Sequence, residues 1–103
     1  MNETRRPRPL SADELACGLA GLPEWRRDGE ALARTFTFPS FEEAMRFANR
    51  VAEEAERADH HPDIIISYRR VTLRLTSHDA GGITDRDVRL AGRIDALPQG
   101  EGS

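Results

Sequence analysis

Residues 63–77, DIIISYRRVTLRLTS, carry the pattern that decides the fold. Three isoleucines follow Asp63, and from Val71 to Leu75 every second residue is apolar. Strict alternation is typical of a strand buried on one face, because successive side chains point to opposite sides of a sheet. The segment therefore predicts a β-hairpin with strands Asp63–Tyr68 and Val71–Ser77 and a turn near Arg69-Arg70.

Upstream of this hairpin, the sequence predicts a long helix over Phe41–Ala58. Ser40 is a typical N-cap residue, and Glu43 follows it at the capping-box spacing. Apolar residues recur at steps of three and four, which places them on one face of a helix. The stripe expected to be buried consists of Phe41, Ala44, Met45, Ala48, Val51, Ala52 and Ala55. The ion pairs expected on the opposite face are Glu42 with Arg46 and Glu53 with Arg57.

The remaining segments complete an α+β pattern. Asp28-Gly29 is a strong two-residue turn signal, and it predicts a first hairpin of Glu24–Arg27 and Ala31–Phe38. Ser11 and Thr84 each precede a carboxylate by three residues, which predicts helices starting there and running to about residues 19 and 97. The order α-β-β-α-β-β-α predicts one domain over residues 10–97, with a four-stranded antiparallel sheet and helices packed on one face.

Composition excludes several classes of function. The chain has 103 residues and a formal net charge of −3, and all fifteen basic residues are arginine. An acidic chain whose arginines are spread along its length lacks the basic face that nucleic-acid binding requires. Cys17 is the one cysteine, so no disulfide can form within the chain. Its Ala/Leu-rich surroundings lead us to expect a small buried residue.

Nothing in the sequence indicates a membrane protein. No apolar run approaches the ~18 residues of a membrane span, and the Arg/Pro-rich beginning has no apolar signal segment. We therefore expect a cytoplasmic protein. The ends, residues 1–9 and 98–103, are rich in Pro, Gly and charge and are expected to be disordered.

The histidines occupy two places, each at the end of an element. His60-His61 follows the long helix, and His78 follows the last strand. Pro62 forces His61 out of the helical conformation. An antiparallel hairpin brings the start of one strand beside the end of the other, so the three imidazoles are expected to meet at one rim of the sheet. Histidine is the natural general acid or base near neutral pH.

Two other readings of the histidines stay open. Each histidine could simply end a helix or cap a strand. Three imidazoles could also bind zinc, but adjacent histidines cannot easily face one ion and no carboxylate completes a familiar ligand spacing. No metal site is therefore expected.

The spacing of these residues resembles that of a known family. Glu56-x-x-x-His60-His61-Pro62, followed by Tyr68, His78 and Asp87, is similar to the signature of the pterin-4a-carbinolamine dehydratases. Further segments match over about Leu10 to Leu97, among them Trp25, Arg34-Thr-Phe-x-Phe38, Phe41-x-x-Ala-x-x-Phe47 and Gly82-x-Thr-x-x-Asp87. Ser77 departs from the family, which usually has Thr there, but it keeps the hydroxyl.

The resemblance implies a reaction and a site. The reaction is dehydration of 4a-hydroxytetrahydropterin to the quinonoid dihydropterin, in tetrahydrobiopterin recycling after aromatic amino acid hydroxylases. The family forms homodimers or homotetramers, and the chemistry needs no cofactor. The implied catalytic residues are His60, His61 and His78, with His61 as the base and either of the others as the acid. The implied substrate-binding residues are Glu56, Pro62, Asp87, Ser77 and Trp25.

Several alternatives remain open at this point. Asp87 is fully explained as part of a helix cap, or it orients His78 or contacts the pterin. Glu56 is either a solvated helix residue or a site residue, and Trp25 and Tyr68 either pack against the domain or stack on the pterin ring. A non-catalytic dimerisation module on the same fold is the alternative function.

Overall fold

The computed structural model describes residues 8–99, and its element order confirms the predicted α+β fold. Within those residues, no helix is both long enough and apolar enough to cross a bilayer. The elements are α1 (Ala12–Ala20), β1 (Arg26–Asp28), β2 (Ala31–Thr37), α2 (Phe41–Ala58), β3 (Asp63–Ser67), β4 (Arg70–Leu75), a short 3-10 helix (His78–Ala80) and α3 (Asp85–Asp95).

The four strands form one antiparallel sheet in the order β1-β2-β4-β3. Phe36 of β2 lies opposite Val71 of β4, and both are buried. On the other side of the sheet, Thr35 is exposed and Ile65 is 50% exposed. Because side chains alternate along a strand, this difference in burial means that the helices cover a single face, as predicted.

The buried face of helix α2 is narrower than the predicted apolar stripe. Phe47, which the stripe omitted, is 1% exposed, and its ring centroid lies 4.6 Å from that of Phe36. Phe41 is 51% exposed and Ala52 is exposed, so the prediction was wrong for both. Phe41 is the first residue of the helix, where no preceding turn shields it, and Ala52 is turned about 100° away from Val51, which lies near the centre of the buried face.

Both hairpin turns lie one residue from their predicted positions. Asp28 pairs with Ala31, so the first turn consists of Gly29 and Glu30, with Gly29 at φ +64°. The second hairpin turns through Tyr68 and Arg69, where Tyr68 adopts φ +56°. Moving a two-residue turn by one position changes the pairing register by two residues and leaves every side chain on the same face. Burial of Val71, Leu73 and Leu75 is therefore compatible with either turn, and the pairing of Ser67 with Arg70 shows that the turn lies at Tyr68 and Arg69.

Smaller corrections concern the element ends and surface pairs. Strand β1 begins at Arg26 rather than Glu24, because the chain first directs Trp25 into the core. Helix α3 ends at Asp95, two residues before the predicted end.

Two expectations about side chains were also wrong. Arg57 pairs with Glu54 at 2.6 Å, three residues before it, instead of with Glu53. Cys17 is exposed, because Leu15 is the residue of α1 that faces the core.

The two ends of the described region are attached to the domain. Ser11 and Glu14 form the predicted capping box, and Arg8 donates two hydrogen bonds of 3.0 Å to the same glutamate. The bonds from Arg8 and from the Ser11 backbone lower the pKa of Glu14 to about 2. At the other end, Gln99 donates to the carbonyl oxygen of Asp95. The rest of the expected disordered tails, residues 1–7 and 100–103, lies outside the described residues.

Asp95 fastens the end of α3 to the sheet. One of its oxygens accepts hydrogen bonds from Trp25 Nε1 and from an Arg34 guanidinium nitrogen, each 2.8 Å long. The guanidinium also lies 4.0 Å from the centre of the Phe36 ring. A carboxylate in the last turn of a helix is unfavourable to the helix dipole, so this tertiary contact explains why Asp95 stands there.

Replacing Asp95 with Ala should lower the free energy of unfolding by about 2 kcal/mol, because the Trp25 and Arg34 donors lose their shared acceptor. Urea unfolding followed by tryptophan fluorescence measures this loss. The matched control is Glu42→Ala, whose 4.0 Å pair with Arg46 is exposed and should change stability by less than about 0.5 kcal/mol. Equal losses in the two variants would contradict the role of Asp95.

Candidate active site

His60 is placed by the way α2 ends. Asp59 adopts the left-handed conformation at φ 53°, and its N–H group bonds to the carbonyl oxygens of Ala55 and Glu56. The N–H of His60 also bonds to the carbonyl of Ala55, at 3.1 Å. A left-handed residue at a helix end reverses the chain direction. As a result His60 turns into the domain and is only 8% exposed.

A buried hydrogen-bond network surrounds the His60 ring. Its Nε2 lies 2.5 Å from one oxygen of Asp87, a residue with 0% exposure. The other oxygen accepts from the Ser77 hydroxyl and from the Thr84 backbone N–H, each at 2.9 Å. The Ser77 and Thr84 hydroxyls are 2.8 Å apart. With an ionised Asp87 as acceptor, a neutral His60 carries its proton on Nε2 and keeps Nδ1 as its open acceptor.

Asp87 therefore does more than cap a helix. The capping bond to Thr84 is present, as the spacing predicted. The same carboxylate also binds His60, whereas the sequence had suggested His78 as the histidine that it would orient. A single carboxylate serves both purposes because its two oxygens offer several acceptor sites.

His61 forms a separate and exposed pair. Its Nε2 lies 2.7 Å from a Glu56 carboxylate oxygen, and the side chains are 56% and 76% exposed. Because Glu56 and His61 are five residues apart, their hydrogen bond links the last turn of α2 to the chain that follows the helix. Pro62, half-buried, follows His61 and leads into β3.

The side chain of His78 faces away from the buried side on which its neighbour Ser77 lies. Ser77 faces inward at 1% exposure and reaches Asp87, whereas His78 is exposed. His78 lines a hollow of about 220 Å³ together with Glu30, Ala31, Arg74 and Thr76. The end of α2 and the segment after β4 thus meet at Asp87, but the expected meeting of three imidazoles is not seen: His60 and His78 line different hollows, and His61 lines neither.

The cleft at His60 is basic. Its volume is about 150 Å³, and its lining consists of Ala58, His60, Arg86, Arg89, Leu90 and Arg93. Arg86 donates a 2.6 Å hydrogen bond to Asp79. That bond, aided by the nearby charges of Arg86 and His60, holds the pKa of Asp79 below its ordinary value. The sequence reasoning missed these arginines, although their i, i+3, i+7 spacing places them on one helix face.

Trp25 lies away from these clefts. Its ring is 4% exposed, packs edge-to-face on Phe36 at 6.4 Å, and donates to Asp95. This arrangement gives no support to stacking of Trp25 on a substrate.

Tyr68 is 69% exposed at the hairpin turn, where it lines a hollow with Thr37, Ser67, Arg69 and Arg70. Within residues 8–99, no group of three or more His, Cys, Asp or Glu side chains is close enough to hold a metal ion.

Comparison with known proteins identifies relatives along nearly the whole domain. A family model described as Pterin 4 alpha carbinolamine dehydratase matches residues 8–97. A protein of Koribacter versatilis (strain Ellin345) is 51% identical over 88 residues, which cover 85% of this chain and 94% of that protein. One of Thermomicrobium roseum is 57% identical over 83 residues, covering 81% and 89%. Both are named pterin-4-alpha-carbinolamine dehydratase, in each case as an inferred activity.

Solved structures share the fold. The crystal structure of a transcriptional coactivator/pterin dehydratase from Brucella melitensis has a TM-score of 0.82 and 33% identity, covering 86% of this chain and 97% of that one. A pterin dehydratase-like protein, described as a RuBisCO assembly factor in the alpha-carboxysome, has a TM-score of 0.60 and 26% identity, with coverages of 71% and 87%. The matches in sequence and in fold agree with each other, and the chain belongs to the pterin 4 alpha carbinolamine dehydratase family.

Proposed function

We propose that this protein is a hydro-lyase that dehydrates 4a-hydroxytetrahydropterin to the quinonoid dihydropterin. The observation that carries the proposal is the His60–Asp87 pair, because a buried carboxylate fixes the proton position of an imidazole that borders a cleft. A histidine held in this way is suited to proton transfer. Membership of the family supports the choice of a pterin as substrate.

The reaction requires two proton transfers and no change of oxidation state. The proton on N5 leaves, the C4a–O bond breaks, and the N5 electron pair forms the C4a=N5 double bond. The departing hydroxyl takes up a proton and leaves as water. A base is needed near N5 and an acid near the C4a hydroxyl. The N5 electrons drive the elimination, so the reaction as written uses no cofactor.

The surroundings of each histidine favour a division of roles. His61 would act as the base, since the Glu56 carboxylate stabilises the imidazolium that forms when a proton is taken up. His60 would act as the acid in its imidazolium form, delivering the Nδ1 proton while the Asp87 carboxylate holds the Nε2 proton. His78 is the alternative acid, although its hollow is separate from the His60 cleft. Ser77 would position the acid through Asp87, and Pro62 would fix the direction of His61.

The cellular setting is proposed on the same basis. Aromatic amino acid hydroxylases would supply the carbinolamine, and the protein would act in the cytoplasm. We also propose a homodimer or homotetramer, because the edge strand β3 and the exposed Ile65 offer a surface for self-association. Light scattering of the purified protein tests this, and a mass near 11.5 kDa would count against it.

A non-catalytic binding role is the alternative function. The Brucella melitensis protein is described as a transcriptional coactivator as well as a pterin dehydratase, and the carboxysome protein as an assembly factor. The arrangement of His60, Asp87 and Ser77 favours the enzyme, because a binding surface alone would not require a buried imidazole with a fixed proton.

Turnover of 4a-hydroxytetrahydropterin, generated in situ and followed by absorbance, tests the proposal directly. We expect the wild type to exceed the buffer rate and His61→Ala to lose about 100-fold in kcat, a typical contribution of a general base. Arg50→Ala, on the exposed face of α2, serves as the control. A wild-type rate equal to that of buffer would refute the enzyme, and full activity of His61→Ala would refute the assigned base.

Asp87→Asn tests the positioning of His60. An amide nitrogen facing Nε2 would donate a hydrogen bond, so the neutral ring should move its proton to Nδ1. We expect kcat to fall about 100-fold, because a neutral amide does not stabilise the imidazolium acid, and ¹⁵N NMR of the imidazole nitrogens to report the changed tautomer. Ser77→Ala, which removes another contact of Asp87, should leave the tautomer unchanged. An Asn variant with the wild-type tautomer and rate would contradict the role.

A further inference from the structure

The arginines of α3 give the His60 cleft a chemistry that the dehydration reaction does not use. Arg86, Arg89 and Arg93 line it together, and no carboxylate is among its lining residues. The substrate's ring needs only proton transfer at N5 and C4a. We propose that these arginines bind an anionic group, a phosphate or a carboxylate, on the side chain at C6 of the pterin. This inference rests on the proposed function and names the class of substrate.

The arginines retain hydrogen-bonding capacity despite their acidic neighbours. Asp79 accepts from one terminal nitrogen of Arg86, whereas Arg86 Nε is buried and has no partner among residues 8–99. A guanidinium has five N–H donors, so this contact leaves most of them for a ligand. An oxyanion is the ligand that satisfies several of them together.

The other two arginines also have acidic partners. Arg93 lies 3.9 Å from Glu54, whose closer partner is Arg57 at 2.6 Å. Arg89 donates a 2.6 Å hydrogen bond from Nε to Asp85, on the surface, where the two side chains are 72% and 63% exposed. Exposed ion pairs contribute little free energy. A ligand oxyanion can therefore replace these contacts at small cost.

The dimensions of the cleft indicate that it holds one end of a ligand. A volume of about 150 Å³ is below the ~300 Å³ at which pockets for whole small molecules begin. A second cleft, of about 290 Å³, shares Arg86 and Arg89 in its lining, which also contains Arg8 and Asp85. Carbon C6 is joined to C4a through N5, so a pterin whose C4a lies near His60 would have its side chain close to this basic groove.

Fluorescence titration with three oxidised pterins tests the inference without turnover. The probes are the neutral 6-hydroxymethylpterin, its monophosphate and 6-carboxypterin. We expect at least one of the two anions to bind about tenfold more tightly than the neutral probe, as charge-assisted bonds to guanidinium groups imply. The anion that gains more identifies the source of the charge, and the gain should shrink with added salt.

A pair of double variants locates the effect. Arg89→Gln/Arg93→Gln should reduce the preference for the anion to less than about twofold. Arg46→Gln/Arg50→Gln removes the same charge from the exposed face of α2 and should retain the preference. Equal wild-type affinities for the three probes, failure of all three to bind, or a preference that survives the α3 variant would each overturn the inference.

The two proposals fail in different ways. Turnover of the neutral carbinolamine together with equal affinities for the probes would overturn the anion site and leave the dehydratase standing. Anion-selective binding that depends on Arg89 and Arg93, without turnover above the buffer rate, would support the anion site as a pterin-binding feature and overturn the dehydratase.

Discussion

The carboxylate of Asp87 joins three elements of this fold at one buried point. His60 reaches it from the end of α2, Ser77 from the end of β4, and the Thr84 backbone from the start of α3. Burying a charge is costly unless its acceptor sites are filled. Loss of any one of the three contacts would leave an acceptor site of the buried Asp87 carboxylate without a hydrogen bond. The position of His60 therefore depends on the packing of all three elements.

Helix α3 is anchored by carboxylates at both ends. Asp87 holds its first turn to α2 and β4, and Asp95 holds its last residue to Trp25 and Arg34. With both ends fixed and Leu90, Ala91 and Ile94 buried, the helix has little freedom to rotate. Its arginines consequently present a fixed face to the His60 cleft. The contacts that stabilise the fold therefore also determine the charge beside the candidate site.

Much of the fold could be predicted because its elements have strong local signals. The alternation in β4 and the caps at Ser11, Ser40 and Thr84 depend only on neighbouring residues, and the helix starts agree with them. The turns could not be placed to the residue, because moving a two-residue turn by one position leaves the same side chains facing the core. Phe47 was missed because its burial depends on contacts with two rings of another part of the chain, Phe36 in β2 and Phe38 just after it.

The sequence by itself determined the α+β order, the family resemblance and the set of histidines at element ends, since each depends on residue type and spacing along the chain. Only the tertiary structure decided that Asp87 binds His60, that Trp25 belongs to the core, and that three arginines border the cleft. These pairings join residues far apart in sequence. Their partners are selected by packing, and no local pattern records the directions in which distant side chains finally point.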